Sequence, residues 1–471
     1  MLRFRRAAIG LVLCGVLPTE VRGQTSAAPA VASAPGFPSD ADVLAIIRQR
    51  VEEKRSAGIV VGLLEPDGRT RVVSYGDPGP GRPPLDASSV FEIGSISKVF
   101  TATLLAEMVQ DGTVKLDDPV QKYLPAGVRL PTRNGKAITL GMLSEQNSGL
   151  PRMPGNFHPA DPTNPYADYT TQQMYEFLSG YTLKRDPGEK FEYSNLGVGL
   201  LGSVLASIAG KSYEELARER IFAPLGMTHT AITLTPWMQS HLALGHNEAG
   251  SVVANWDLPA LAGAGAIRST AEDMLKFAAA NLHPDRGVIQ QSMAFAQTGR
   301  AAAGGDSIGL NWITSRRAGP PIVWHNGGTG GYRTFLGLQP STHRAVVILT
   351  NTTGAGADDI GMHLLNPGIP LTPKPVPPKQ RVAIDVGADV LANYVGTYRL
   401  APTFAIAVTL KDGALYGTPT GQQAFRLWPE TDHDFFVKEV DAQITFVHED
   451  RRVTALVLHQ NGRDQRGEKV P

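Results

Sequence analysis

The chain of 471 residues holds a single cysteine, Cys14. One thiol cannot form an internal disulfide, and it excludes a cysteine-rich zinc site. The 11 histidines show no His-x-x-x-His or His-Glu-x-x-His spacing, so a zinc hydrolase lacks its ligand pair on a helix face. Excess charge is missing as well: Lys+Arg and Asp+Glu both number 44, for a formal net charge of zero. That excludes the basic footprint of a nucleic-acid binder and any broad attraction to anionic membrane. Beyond the N-terminus no second long apolar run follows, so nothing else is expected to cross a bilayer. The glycine-rich stretch around Gly327 lacks the Gly-Lys-Ser/Thr ending and the following helix of a phosphate loop. No metal or cofactor is expected.

What is present begins with an address. Arg3, Arg5 and Arg6 precede an apolar run over residues 7–17, and Val21 and Gly23 form a small-residue exit. Positive, apolar, then small is the layout of a secretory signal peptide over residues 1–23, too short to span a bilayer. Leu13 stands before Cys14 where a lipoprotein site wants a small residue, so a secreted or periplasmic protein without a remaining cysteine is expected. Residues 24–39 are rich in Ala, Pro and Ser and read as a flexible leader.

The body is too long for one ordinary domain. Residues 41–56 place Val43, Ile46, Ile47 and Val51 at helical spacing. Two strands are expected over 58–64 and 69–76, around the Pro66-Asp67-Gly68 turn. Residues 99–111 read as an amphipathic helix closed by Gly112. Short β-rich runs return at 321–324, 334–338 and 345–350. Strands at both ends with helices between them suggest one sheet closed by distant parts of the chain, an α+β fold over residues 40–365. Residues 366–380 carry six prolines and read as a semi-rigid linker. Over 381–471 short strands are expected at 404–411, 414–418, 435–440, 442–448 and 452–460, with Asp412-Gly413 and Asn461-Gly462 as turns. They form a small antiparallel barrel without a nucleophile–base pair, an accessory domain.

Three motifs carry chemistry. Ser95-Ile96-Ser97-Lys98 leads into the 99–111 helix, and a serine and lysine three apart at a helix start share one face. Serine is a poor nucleophile without a neighbouring base, which Lys98 can supply. Alone, this spacing is common by chance, and a capped helix with an exposed lysine is its commoner explanation. Ser97 competes as nucleophile but has no lysine three residues on. The second motif is Tyr193-Ser194-Asn195, before an apolar helix over 196–209. Tyr193 and Asn195, one residue apart on a loop, can enter one cleft. There a phenol lowered in pKa by Lys98 shuttles a proton, and the Asn195 amide holds a carbonyl. A helix cap with a packed tyrosine is the plain alternative. The third is Trp324-His325-Asn326-Gly327-Gly328-Thr329-Gly330-Gly331-Tyr332. A strand turning glycine-rich exposes main-chain N–H groups, the donors of an oxyanion hole, or it is simply a glycine-rich hairpin.

In order and surroundings the three blocks resemble the penicillin-recognising serine hydrolases of the class C β-lactamase type. That superfamily includes D-alanyl-D-alanine carboxypeptidases, D-aminopeptidases and β-lactamase-fold esterases. The resemblance runs over 91–125, including Leu116-Asp117-Asp118-Pro119, then 193–227 and 325–351. It implies an antiparallel sheet flanked by helices beside a helical lobe, with the site between them. It implies Ser95 as the acylated nucleophile, Lys98 and Tyr193 as the proton-transfer pair, and Asn195, His325 and Gly327 as substrate contacts. The N–H groups of Ser95 and Gly328 form the implied oxyanion hole. Two departures bear on substrate. His325 stands where class C β-lactamases carry lysine, so positive charge there should be partial at pH 7 and fade as pH rises. Gln146, in Leu143-Ser144-Glu145-Gln146-Asn147-Ser148-Gly149-Leu150, replaces the histidine of a His-Thr-Ser-Gly-Leu block, and packing beneath the cleft is its plain reading. The implied substrates are D-amino-acid peptides of the peptidoglycan kind or β-lactams. The alternatives are a carboxylesterase on small esters and a non-catalytic penicillin sensor.

Overall fold

The computed structural model describes residues 36–317, 319–354, 356–374, 381–401, 404–420, 424–438, 442–450, 452–460 and 463–470. The signal segment, leader residues 24–35, linker residues 375–380 and the Asn461-Gly462 turn lie outside the described residues. The chain divides into two compact units, one ending at Thr372 and the other starting at Pro373.

In the first unit, Gly58–Leu64 is buried at every position, as suits a strand in the middle of a sheet. It pairs antiparallel with Thr70–Gly76 on one side and with Arg344–Thr350 on the other, Ile59 opposite Thr350. Arg333–Gln339, Ile322–Gly328, Ile313–Ser315, Asp306–Ile308 and Ala301–Ala303 follow in order to complete an eight-stranded sheet. Alternate residues of a strand point to opposite faces. Val60, Leu336, Leu338, Val347 and Leu349 face the large helical lobe. Ile59, Val61, Phe335, Val346 and Ile348 face the other way. There the helices Asp40–Glu52 and Asp358–Leu365 cover them with Val43, Ile47, Ile360 and Leu364. Arg50 and Asp359 tie those two helices together at 2.6 Å. The first helix stops short of the expected residue 56, because Lys54 takes a left-handed φ of 59° and turns the chain into the sheet.

The expected helix at 99–111 forms as Ser97–Gln110, but it is not amphipathic. Every residue from Ser97 to Ala106 is buried, the condition of a helix with neighbours on all sides. Phe100 stacks on Phe277 with ring centroids 4.0 Å apart and meets Phe222 edge-on at 5.7 Å. The polar residues on this helix are satisfied internally: Thr101 Oγ1 donates to the Gly263 carbonyl at 2.7 Å and Thr103 Oγ1 to Val99 at 2.9 Å. A side chain at the start of this helix is therefore held by the core of the lobe. Among the described residues no single helix is long and apolar enough to cross a membrane.

The second unit is a closed barrel of eight strands, Gly396–Ala401 pairing with Arg463–Val470 to complete the ring. Closure removes the free edges an open meander would expose. Tyr394 stacks on Phe446 inside it at 4.3 Å, and the Tyr398 hydroxyl donates to the Tyr394 carbonyl at 2.7 Å. Asp412 and Gly413 take φ of 49° and 72°, the two left-handed residues a tight hairpin needs. Three strands, Gly396–Ala401, Phe425–Pro429 and Arg463–Val470, come in addition to those expected.

Candidate active site

Between residues 89 and 106, Ser95 alone is partly exposed; its neighbours on both sides are buried. It sits in the 3-10 turn Gly94–Ile96 that opens the central helix. Lys98, one turn on, is fully buried, and its Nζ lies 3.0 Å from Ser95 Oγ. Ser97 is not a rival nucleophile: it is buried, and its Oγ accepts the Ile267 N–H at 3.1 Å.

Lys98 Nζ has two further contacts, Asn195 Oδ1 at 2.8 Å and the Ala264 carbonyl at 2.6 Å. Both are acceptors only. A neutral amine has two N–H groups and one lone pair, so giving the N–H groups to these oxygens turns the lone pair to the Ser95 hydroxyl. Burial drives the amine toward that neutral form, and the positive charge of Arg152 adds to the effect, holding Lys98 well below the usual lysine range. Depressing the phenol pKa of Tyr193 is thus not the work of Lys98, as the motif suggested. Burial instead pushes Tyr193 up to about 12, opposed by its hydrogen bond with Ser95. The phenol is protonated at neutral pH. Its ring is flanked by Lys98 Nζ at 4.9 Å and the Arg152 guanidinium at 5.1 Å from the centroid.

The loop carrying Tyr193 is fixed from below by Gln146. The Gln146 carbonyl accepts the Glu192 N–H at 2.6 Å, and its Oε1 accepts the Ser194 N–H, also at 2.6 Å. The main-chain N–H groups of the residues on either side of Tyr193 therefore hang from one residue. Gln146 Nε2 donates to Asn311 Oδ1 at 2.8 Å, and Asn311 Nδ2 donates to Ser144 Oγ at 2.9 Å and to the Lys98 carbonyl at 3.4 Å. Gln146 and Asn311 are buried and take left-handed φ of 60° and 56°. A strained backbone is kept where surrounding bonds over-determine it. This chain of amides joins the tyrosine loop to the start of the lysine helix. Ser194, rather than Asn195, caps the following helix Asn195–Ala209, its Oγ accepting the Gly197 N–H. That leaves Asn195 Oδ1 for Lys98, while Asn195 Nδ2 has only a long contact, 3.8 Å, with Met153 Sδ.

The third motif is the end of the Ile322–Gly328 strand and its hairpin to Arg333–Gln339. Thr329 N–H bonds the Tyr332 carbonyl, and Gly328 lies opposite Arg333. In an antiparallel pair bonded and unbonded positions alternate, so Gly328 turns its N–H away from this partner. On that other side the neighbouring strand pairs no further than Trp324, and the Gly328 N–H meets the Ser95 turn. A Cβ on Gly94, whose φ is +51°, would stand 2.7 Å from Gly328 N. Gly327, expected as a substrate contact, is closely packed. By the same alternation its main chain is bonded to Thr334, and the place of its side chain is filled by the Ile93 carbonyl and Thr334 Oγ1. Gly327 is the packing point that lets the strand close on the turn.

His325 is buried at 2% exposure, its ring 6.2 Å from that of Tyr193. Its Nδ1 lies 2.6 Å from the Asn326 carbonyl, an acceptor, so Nδ1 carries the proton and Nε2 presents a lone pair. Burial and then the nearby Lys98 push its pKa down to about 3. The partial positive charge expected at pH 7 is absent, and no loss of charge accompanies a rise in pH there. Among the described residues no group of three His, Cys, Asp or Glu side chains is placed to hold a metal ion.

The structure thus gathers Ser95, Lys98, Tyr193, Asn195, His325 and Gly328 at one place. Gln146, the Ala264 carbonyl and Arg152 join them without a motif of their own. Gln146 stood out only as a departure from a block, and its partners lie 48 and 165 residues away.

Residues 43–365 match the family described as Beta-lactamase, and residues 380–469 match one described as a domain of unknown function (DUF3471). The D-alanyl-D-alanine-carboxypeptidase/endopeptidase AmpH of Escherichia coli strain K12 is 36% identical over 313 residues, 62% of this chain and 79% of that protein. A protein of Pseudomonas fluorescens named β-lactamase is 27% identical over 344 residues, 66% of this chain and 92% of that one. The crystal structure of a β-lactamase/D-alanine carboxypeptidase from Yersinia pestis, complexed with citrate, has a TM-score of 0.60 and 27% identity, covering 70% of this chain and 98% of its own. With a Beta-lactamase match over most of its length and an antiparallel sheet beside a helical lobe, the chain belongs to the β-lactamase family, within the superfamily of penicillin-recognising serine hydrolases.

Proposed function

We propose that the protein is an exported hydrolase that forms an acyl-enzyme on Ser95, acting on peptides ending in D-amino acids or on β-lactams. The observation that carries this reading is the 3.0 Å contact between Ser95 Oγ and the Nζ of the buried Lys98. As Ser95 Oγ bonds to the substrate carbonyl carbon, its proton passes to Lys98. The N–H groups of Ser95 and Gly328 receive the negative charge on the carbonyl oxygen. The Tyr193 phenol then protonates the leaving nitrogen as the C–N bond breaks, and the Lys98 ammonium restores the phenol. Water reverses the sequence to free the acid. Asn195, with its Oδ1 on Lys98, has its Nδ2 available for a substrate carbonyl. The names of the relatives support the substrate class, and the secretory layout of residues 1–23 supports export. The uncharged His325 favours a second reading, a carboxylesterase on small esters that lack a carboxylate.

Intact-protein mass after mixing with penicillin, beside Ser95→Ala, tests the reading. A transient or lasting adduct on the wild type alone, or loss of the drug without an adduct, supports it. A lasting adduct that no peptide substrate turns over would mark a sensor. Neither adduct nor drug loss, with turnover of simple esters, would move the assignment to the esterase.

A further inference from the structure

We propose that Arg152 is the specificity-determining residue of this site, its guanidinium anchoring the carboxylate of an anionic acyl donor. The inference rests on the acyl-enzyme reading above.

An anionic substrate needs a cation, and the site offers few. His325 is an uncharged donor–acceptor pair whose proton is held by a main-chain carbonyl. Lys98 is buried, with all its nitrogen contacts taken. Arg333 stands on the opposite sheet face, donating to the Thr329 and Tyr332 carbonyls and facing Asp358 and Glu248. Arg268 is buried against Glu92 and Asp257. Arg152 is different. It is exposed, and among the described residues no carboxylate pairs with it.

Its position is nevertheless fixed. The Arg152 carbonyl accepts the N–H groups of Asn195 at 3.0 Å and Leu196 at 3.3 Å, so its main chain is bonded to the residue that holds Lys98. The guanidinium rests over the Tyr193 ring at 5.1 Å. Tyr166 also lies within its field, and Tyr166 and Trp256 rings stand 5.2 Å apart at the same rim. A guanidinium laid on an aromatic face keeps its planar N–H fork open, the geometry that binds a carboxylate with two parallel bonds. Being always charged, it anchors an anion over the whole working pH range.

The same contact links recognition to chemistry. The Arg152 charge is one of the two causes that make Lys98 a weak base. A carboxylate docked on Arg152 offsets that charge and strengthens the base as the right substrate arrives. A neutral ester leaves it weakened.

The test uses the full-length protein and two acyl donors, an N-acyl-D-alanyl ester whose leaving group ends in a carboxylate and its carboxamide twin. In Arg152→Gln the ratio of kcat/KM values, carboxylate over carboxamide, is expected to fall by about 10- to 100-fold, the loss of a charge-assisted pair. Arg152→Lys, which keeps the charge but not the fork, should fall between. The acid limb of kcat/KM for the carboxamide should also move to higher pH in Arg152→Gln, which loss of packing alone would not produce. An unchanged ratio overturns the role of Arg152. Wild-type rates in Ser95→Ala, or no turnover of either twin by folded wild type, overturn the acyl-enzyme reading instead.

Discussion

Replacing Gly327 by alanine tests the oxyanion geometry directly. A Cβ at this position lies 3.0 Å from the carbonyl carbon of Ile93, with that residue's oxygen and Thr334 Oγ1 closer still. Carbon–carbon contacts settle at about 3.5–4.0 Å and the oxygen contact demands more, so the strand must withdraw from the Ser95 turn by about 1 Å or more. Gly328 is the next residue and moves with it, while the N–H of Ser95 stays with the turn. A donor aimed at a developing oxyanion works only at about 2.7–3.1 Å, and losing one costs about 10²–10³ in rate, or about 3–4 kcal/mol. The acylation rate of Gly327→Ala should fall by about that factor, with a circular dichroism spectrum like that of the wild type. Gly328→Ala is the control. The nearest obstacle there is Arg333 Nη1, the far end of a side chain that can swing aside, so its loss should stay below about tenfold. Stopped-flow acylation by a reporter β-lactam or thioester reads both. Acylation of Gly327→Ala within about threefold of wild type would refute the reasoning, as would equal damage in Gly328→Ala.

Gln146→Ala leaves the buried Ser194 N–H and Asn311 Oδ1 without partners, at about 1–3 kcal/mol each. It should lower the melting temperature and cut kcat by about tenfold or more through a loosened Tyr193, a normal kcat in a destabilised variant showing that the clamp is structural only. For pH dependence, Lys98 has to be neutral to act, so acylation should rise with pH through its lowered pKa. His325 should contribute no inflection near pH 6.5, and the same profile in His325→Gln checks this. His325 also binds its proton less readily when folded, about 3 against 6.5 unfolded. The unfolded chain thus binds more protons between those values, and stability is lost as pH falls from 6.5 towards 3, by roughly 5 kcal/mol in full. Melting curves of His325→Gln should show a flatter acid decline, and an identical decline would place the acid sensitivity elsewhere.

Ser95, Lys98, Tyr193 and Asn195 were legible before any fold was known because the order of their three blocks resembles a known family, whereas the serine–lysine spacing alone is common by chance. The sheet was legible from local pattern: runs such as 58–64 and 345–349 are apolar throughout. What was hidden depends on contacts far apart in the chain. Gln146 reads as an ordinary polar residue until Ser194 and Asn311 arrive beside it. The protonation states of Lys98, Tyr193 and His325 follow from depth of burial, which spacing does not reveal; Lys98 was read as a base, but Tyr193 and His325 were misjudged by reasoning from charge alone. The helix expected over 99–111 read as amphipathic because its threonines count as polar, although each finds its partner inside the lobe. Arg463–Val470 escaped notice because a polar strand can close a barrel by main-chain bonds, as its pairing of Glu468 with Ala455 shows.

The pairing of Ile59 with Thr350 has a consequence for the birth of the protein. The most buried strand of the sheet leaves the ribosome among the first, and one of its two neighbours is among the last pieces of the first unit to be made. Until residue 350 emerges, the 58–76 hairpin shows an unpaired apolar edge, and Gly328 has no completed sheet to hold it against Ser95. The sheet of a nascent chain therefore stays incomplete through most of its synthesis. That delay would suit the export proposed above, in which a polypeptide is threaded through a translocation pore before it folds, with the nucleophile unarmed until the sheet closes.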